Sequence, residues 1–298
     1  GKDWKNVGNL DYVSGWYKKA AEMMQGTTIR TALVSTNSIT QGEQVAFVWK
    51  PLIERFGIHI DFAYRTFRWD SEIAEKAHVH CVIIGFSTAP NEAPRRIYYS
   101  KVDFVEVKHI NAYLMDAEDV FVESRKKPLC EVPEMTTGNR PADGGHLIIE
   151  EADYADFIKK EPGALPYIKR FVGAEEFIKG KMRYCLWLVG VSPAVIRKLP
   201  LVFHRVEACR QDRLNAPDPG RRKLADTPTL FRETNNPNDY ILIPSTSSER
   251  RPYIPIGFLH EDTISSNAAL IIPSAGLYHF GILTSAVHNA WMRAVCGR

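Results

Sequence analysis

The chain has 298 residues, 45% hydrophobic and 24% charged, with a net charge of +3. This is the composition of a globular protein of one large or two ordinary domains. No apolar run approaches the roughly 18 residues of a membrane span, and GKDWKNVGNLDYV at the N-terminus lacks the apolar core of a signal peptide, so no membrane partner is expected.

The first predicted element is a helix over Asp11–Met24, with Tyr12, Val13, Trp16, Tyr17, Ala20 and Met24 on its buried side. Thr31–Val34 follows, a short apolar run of the kind that makes a strand buried on both faces. Ser35–Ser38 places four small polar side chains where that strand ends. Thr40 and Glu43 form a T-x-x-E capping box. Val45, Val48, Trp49, Leu52, Ile53 and Phe56 recur at helical spacing behind it, and Gly57 closes the helix. Ligands of open α/β sheets bind beyond the carboxyl ends of the strands. Ser35–Ser38 therefore read either as ligand-facing groups or as an ordinary hydrogen-bonded turn.

Ile58–Tyr64 alternates like a strand, Arg65–Trp69 reads as a turn mixing aromatic and basic residues, and His78–Phe86 reads as a central strand. His78 and His80 share a face of it, but without a third ligand they point to packing or hydrogen bonding rather than a metal. Helix, strand, helix, strand, strand is the second half of an α/β sheet. Short β-like pieces follow at Arg96–Tyr99 and Val102–Val107, and Met135–Gly145 is a loop by composition. Asp153–Lys160 and Glu175–Lys179 look helical, Tyr184–Val189 is a strand, and Leu199–Leu214 is a helix with a basic side. Asn215–Arg222 is a loop. Tyr240–Ile243 and Tyr253–Leu259 form a hairpin with Glu249, Arg250 and Arg251 at its tip. Ala268–Ile272 and Tyr278–Val295 turn apolar and helical. There is no internal repeat and no low-complexity tract.

Charge is unevenly spread. Pro128–Ile178 holds ten acidic and five basic residues, whereas Lys179–Lys223 holds eleven basic and three acidic ones. The second segment points to a polyanion-facing surface, with a solvated salt-bridge network as the alternative. Candidate nucleic-acid contacts are Arg210, Arg213, Asn215, Arg221, Arg222, Lys223, Ser248, Glu249, Arg250 and Arg251. Arginine, asparagine and carboxylate side chains can read base edges, while a basic cluster suits phosphates. No G-x-S-x-G, P-loop or G-x-G-x-x-G is present. Gly144 and Gly145 are a weak phosphate candidate, and Pro237–Tyr240 lacks the order of an N-P-P-Y motif. The five cysteines are odd in number and widely spaced, with no C-x-x-C. That argues against structural zinc and a disulfide framework, and fits a reducing cytoplasm.

Several stretches carry a family resemblance: Leu10–Ala21 (LDYVSGWYKKAA), Ala32–Val45 (ALVSTNSITQGEQV), Val79–Phe86 (VHCVIIGF), Cys130–Met135 (CEVPEM), Arg222–Pro228 (RKLADTP), Tyr253–Leu259 (YIPIGFL) and Tyr278–Ala286 (YHFGILTSA). In this order they resemble the adenine-specific DNA methyltransferases of the single-chain type II restriction–modification enzymes, the Mme-like, type IIL family. The resemblance implies an α/β fold: the second half of a Rossmann-like methyltransferase sheet, followed by a mixed α+β target recognition domain. It places the C-terminal part of the methyltransferase domain at 1–124, the recognition domain at 125–270, and a helical return to the methyltransferase body at 271–298. It further implies S-adenosylmethionine as cofactor of the parent enzyme, a bacterial cytoplasmic location, and double-stranded DNA as partner. The remainder of the same polypeptide, a nuclease domain among it, is the other implied partner.

The family's S-adenosylmethionine motif and its N-P-P-[FY] motif lie upstream of the part that matches Leu10. The chain therefore reads as a fragment with no catalytic residue and no bound cofactor of its own. A base must leave the duplex to be methylated. The implied adenine pocket takes Ser35, Thr36 and Asn37, with Phe67 or Trp69 stacking on the base; core packing is the alternative for these two rings. A non-catalytic DNA-specificity subunit is the competing function, and an RNA methyltransferase a third.

Overall fold

The apolar run at Thr31–Val34 becomes β1 (Arg30–Thr36), one edge of a five-stranded sheet in the computed structural model of the chain. Residues 4, 7–69, 79–125, 127–248 and 250–296 are described. They form two units, Gly1–Lys126 with Ala290–Arg298, and Lys127–Asn289. The other strands of the first sheet are β2 (His59–Trp69), β3 (Val79–Ser87), β4 (Arg95–Tyr98) and β5 (Phe104–Val107), in the order β1-β3-β2-β4-β5. Only β2 and β4 run parallel. Contrary to expectation, β1 is not buried on both faces. Its even-numbered side chains Ala32, Val34 and Thr36 are exposed, and only Ser35 is buried. An edge strand has a neighbour on one side alone, and here α1 (Ser14–Met24) lies against one face.

The buried stripe of α1 is Ser14, Tyr17, Ala21 and Met24, while Tyr12 and Trp16 face solvent against the expected pattern. Tyr17 sets this rotation. Its ring stacks on Phe86 with centroids 5.3 Å apart and meets Trp49 edge-on at 5.4 Å, filling the centre of the core. The expected capping box does not form. The Thr40 hydroxyl donates to the Asn37 carbonyl at 2.9 Å and closes a 3-10 turn, Asn37–Thr40. The helix starts afterwards as α2 (Gly42–Gln44), passes through a π-helical turn, Val45–Trp49, and continues as α3 (Lys50–Phe56). Pro51 explains the wide turn, because it has no N–H for the Phe47 carbonyl. The Trp4 indole donates to that carbonyl instead. Val45, Val48, Trp49 and Leu52 are fully buried, and Gly57 closes α3 at φ +66°, donating to the Ile53 carbonyl.

The second unit is mixed α+β. Its strands are β6 (Thr136–Thr137), β7 (Ile148–Glu150), β8 (Ile168–Val172), β9 (Arg183–Leu186), β10 (Asp239–Pro244), β11 (Gly257–His260), β12 (Thr263–Ser265) and β13 (Ala269–Pro273). They form two four-stranded sheets, β11-β10-β13-β6 and β12-β8-β9-β7. The helices are α4 (Glu151–Lys160), α5 (Ala174–Lys179), α6 (Pro193–Ile196), α7 (Pro200–Leu214), α8 (Pro219–Lys223), α9 (Leu277–Thr284) and α10 (Ala286–Val295), whose last turns belong to the first unit. Two expectations are corrected here. Ala268–Ile272 is a strand, because β13 pairs along β10 from Tyr240↔Pro273 to Pro244↔Ala269, a partner that no local window of sequence contains. Asn215–Arg222 is not all loop, because Asp218 accepts from the Gly220 and Arg221 N–H groups and Pro219 opens α8 behind it. No described helix is long and apolar enough to cross a membrane.

Asn139 ties this unit together. It is fully buried; its amide donates to the Asn235 carbonyl at 2.7 Å and the Ser265 carbonyl at 3.1 Å, and its side-chain oxygen accepts from the Asn235 N–H at 2.7 Å. Asn139→Ala removes these three bonds, leaving the Asn235 N–H and carbonyl without the side chain while the Ser265 carbonyl keeps the Asn139 N–H. It is expected to lower stability by about 2 kcal/mol, read as a lower urea midpoint with unchanged slope.

Candidate functional site

The carboxyl end of β1 is stitched to α1 by side chains. The Ser35 hydroxyl is buried and shares a 2.9 Å hydrogen bond with the Tyr17 phenol. Burial pushes that phenol up to about 12, and the bond to Ser35 works the other way. Successive strand residues point to opposite faces. Ser35 therefore faces the core, whereas Thr36 is exposed and Asn37 half-buried. Of the three polar residues expected at a pocket, Thr36 and Asn37 are accessible and Ser35 is held by the core. Asp11, absent from the expected set, accepts from the Ser38 hydroxyl and lies 3.4 Å from that of Thr36. Its position just before α1 marks it as a helix-start residue, which gives no local signal of this long-range role.

Phe67 and Trp69 lie in a strand rather than a turn. β2 continues to Trp69, with an irregularity in pairing between Tyr64 and Phe67. This shift restores Phe67 to register with Cys81 on β3, and Cys81 pairs on its other side with Thr36 of β1. Directly opposed residues in antiparallel strands share a face. Thr36, Cys81 and Phe67 thus form one row across the end of the sheet. Trp69 is 53% exposed, and its ring sits 6.3 Å from that of Phe67 at 43°. His80 is exposed, and His78 lies outside the described residues. At the opposite end of the sheet, His59, Asp61 and Ser87 have the residue types of a hydrolytic triad. Ser87 is fully buried and donates to Asp61 at 2.7 Å, so it is a structural hydroxyl and not a nucleophile.

The basic segment is largely turned inward. Arg213 is fully buried, and each of its five N–H groups is spent on a carbonyl: Ala142, Leu224, Thr227, Pro141 and Leu230, at 2.7–3.0 Å. It is an internal clamp, which corrects its expected role as a DNA contact. Arg205 donates to the His146 and Ile148 carbonyls. Lys179 and Lys181 share Glu175, Arg183 pairs with Glu176, and Arg221 pairs with Asp212. Arg210, Asn215, Arg222 and Lys223 remain exposed around the end of α7 and along α8, and Arg197 and Lys198 are exposed after α6, at the start of α7. Arg222 is oriented by bonds of 2.8 Å to the Ala216 and Pro217 carbonyls.

The hairpin forms as β10 and β11, in register from Asp239↔His260 to Leu242↔Gly257, so the loop between them is longer than expected. Its base is anchored. Ile256 packs with Ile241, Ile243 and Ile272, and the Ile254 N–H donates to Asn289. Ser248 and Arg250 are exposed at the tip, and the Ser248 hydroxyl accepts from the Arg250 N–H at 3.2 Å. Arg251 is half-buried, and Glu249 lies outside the described residues. Among the described residues, no group of three or more His, Cys, Asp or Glu side chains is placed to hold a metal ion.

Comparison with known proteins fits this arrangement. The chain is 41% identical over 295 residues to DNA methyltransferase A of Bacillus subtilis (strain 168), covering 99% of this chain and 33% of that protein. It superimposes with a TM-score of 0.92, at 44% identity, on the type IIL restriction–modification enzyme MmeI solved in complex with DNA, covering 99% of this chain and 40% of that one. The chain thus spans between a third and two fifths of the length of these relatives. Residues 1–99 match the family described as the MmeI DNA-methyltransferase domain. Residues 116–298, more than half of the chain, match the MmeI target recognition domain, and the chain belongs to that family.

Proposed function

We propose that these residues supply DNA sequence recognition and one wall of the base pocket in an S-adenosylmethionine-dependent, adenine-N6-specific DNA methyltransferase of a restriction–modification system. The observation that carries the reading is the row Thr36–Cys81–Phe67. It sets a polar strand end and an aromatic ring on one face of a methyltransferase-family sheet, where ligands of α/β proteins bind. An extruded adenine would stack on Phe67 or Trp69 and meet Thr36 and Asn37 with its edge. Duplex DNA would lie on the second unit, its phosphates against Arg210, Asn215, Arg222 and Lys223 and its base edges against the hairpin tip, Ser248–Arg251. In domain terms, 1–124 is assigned to the methyltransferase and 125–270 to recognition; of 271–298, the part to Asn289 stays with the recognition unit and the part from Ala290 groups with the methyltransferase unit.

The cofactor would be bound by parts of the longer protein, and a cytoplasmic bacterial setting follows from the same reading. The test is made on genomic DNA. The open reading frame containing these residues is expressed in a host lacking adenine methylation, and the DNA is digested to nucleosides for mass spectrometry. N6-methyladenine is expected from the full frame and not from residues 1–298 alone. No modified base from the full frame, with sequence-specific duplex binding retained, would instead support a non-catalytic specificity subunit.

A further inference from the structure

From Thr263 to Met292, thirty consecutive residues include no Asp, Glu, Lys or Arg, in a chain that is 24% charged. Burial accounts for the first part of this run. Every residue of β12 is buried, as are Ala269, Ile271 and Ile272 of β13. It does not account for α9, LYHFGILT. Phe280 and Leu283 on one side of this helix pack against Ile241, Ile243, Ile272 and Ala275. Leu277, Tyr278, Gly281 and Ile282 lie on the other side, at the spacing of a single helix face. Leu277 is 79% exposed, Tyr278 is 75% exposed, and Ile282 is exposed beside them. A helix side that faces water carries polar and charged residues, whereas a helix apolar all round is a buried one.

Gly281 carries a second signal. It lies in the interior of α9 and needs no positive φ. Glycine there is a poorer helix former than alanine. A Cβ at this position would meet no atom within 4 Å. Packing among the described residues therefore gives no reason for a glycine, and a backbone approaching from outside would give one.

We infer that this face of α9 seats an apolar segment from the part of the same polypeptide outside residues 1–298, whose backbone comes closest at Gly281. The lengths of the relatives leave room for it, since the chain spans 33% of one and 40% of the other. DNA is a poor occupant, because a face without cations neutralises no phosphate. A second copy would have to compete with segments of its own chain, which meet the face at a much higher effective concentration. The docking is separate from the base pocket, which lies on the first unit, and holds whichever base is methylated.

The test uses the full-length protein with Tyr278→p-benzoylphenylalanine, irradiated with and without duplex DNA and digested for mass spectrometry. The expected product is an intramolecular cross-link to an apolar segment outside residues 1–298, formed whether or not DNA is present. Gly281→Leu gives an independent measurement, because the two cases differ in sign. On an open face leucine is the better helix former, and the unfolding midpoint of the full-length protein stays or rises. Under a docked segment the new side chain meets the incoming backbone, so the midpoint falls and the cross-link is lost. Gly281→Ala repeats the comparison with a single methyl group if leucine blocks folding. A cross-link to a residue within 1–298, to a second copy or to DNA overturns the inference, and so does the absence of any cross-link. An unchanged or raised midpoint in the glycine variants overturns it as well, because no backbone then approaches at Gly281.

Discussion

Arg213→Met is expected to destabilise the second unit by about 3–5 kcal/mol, or to prevent it from folding. The figure is that of several carbonyls left without a donor, at about 1–3 kcal/mol each before the site relaxes. The guanidinium occupies the point where the Pro141–Ala142 loop, the end of α7 and the Leu224–Leu230 segment converge. Methionine fills much of the volume but takes the donor from the Pro141, Ala142 and Leu230 carbonyls, while those of Leu224 and Thr227 keep the Thr227 and Leu230 N–H groups. Arg213→Lys is expected to fall between wild type and Met, because an ammonium has three donors and no planar fork. Arg222→Ala should cost less than about 1 kcal/mol, since its side chain is exposed. Trp187 is the only tryptophan in Lys127–Asn289 and packs edge-on against Phe231 at 5.4 Å, so fluorotryptophan NMR through a urea titration follows this unit by itself. Equal midpoints for Arg213→Met and wild type would show that the clamp contributes nothing net.

The same arginine shows where reading the sequence stops. Leu199–Leu214 is legible as a helix from its apolar spacing, and α7 runs from Pro200 to Leu214. The direction of its charges is not legible. Arg205, Arg210 and Arg213 are chemically alike, yet two reach carbonyls brought near by the fold and one faces water. A segment of net charge +8 therefore yields a smaller exposed basic surface than its count implies. Partners distant in sequence decided the other misreadings too. β13 is a strand because β10 lies beside it, and Arg65–Trp69 continues β2 because β3 offers a ladder as far as Val79. Thr40 loses its capping role to a carbonyl three residues back. What local pattern did carry was the α/β order of the first unit, the hairpin at Tyr240–Leu259, and the polar end of β1. Asp11 escaped notice because its role depends on closing a loop of 27 residues to Ser38.

Substitutions at the hairpin tip and on α8 are expected to separate specificity from affinity. The base of the hairpin is anchored by the β10–β11 pairing and by Ile256, so substitutions in the loop beyond it leave the sheet in place. Glu249→Gln and Arg251→Ala are expected to change the preferred base at one position of the site. Each good base contact discriminates by about 1–3 kcal/mol, roughly 5- to 150-fold. Arg222→Ala with Lys223→Ala should instead weaken binding to every duplex alike and reduce the slope of log K against log salt by about 0.9 for each phosphate contact removed. Arg221 is a poorer choice for this arm, because its charge is paired with Asp212 and its loss would also free that carboxylate. The measurement is a selection from a randomised duplex library at two salt concentrations. If the tip variants lose affinity uniformly, the tip holds phosphates or supports the hairpin. If the α8 variants change base preference, the recognition surface lies on α8, and the two roles are exchanged.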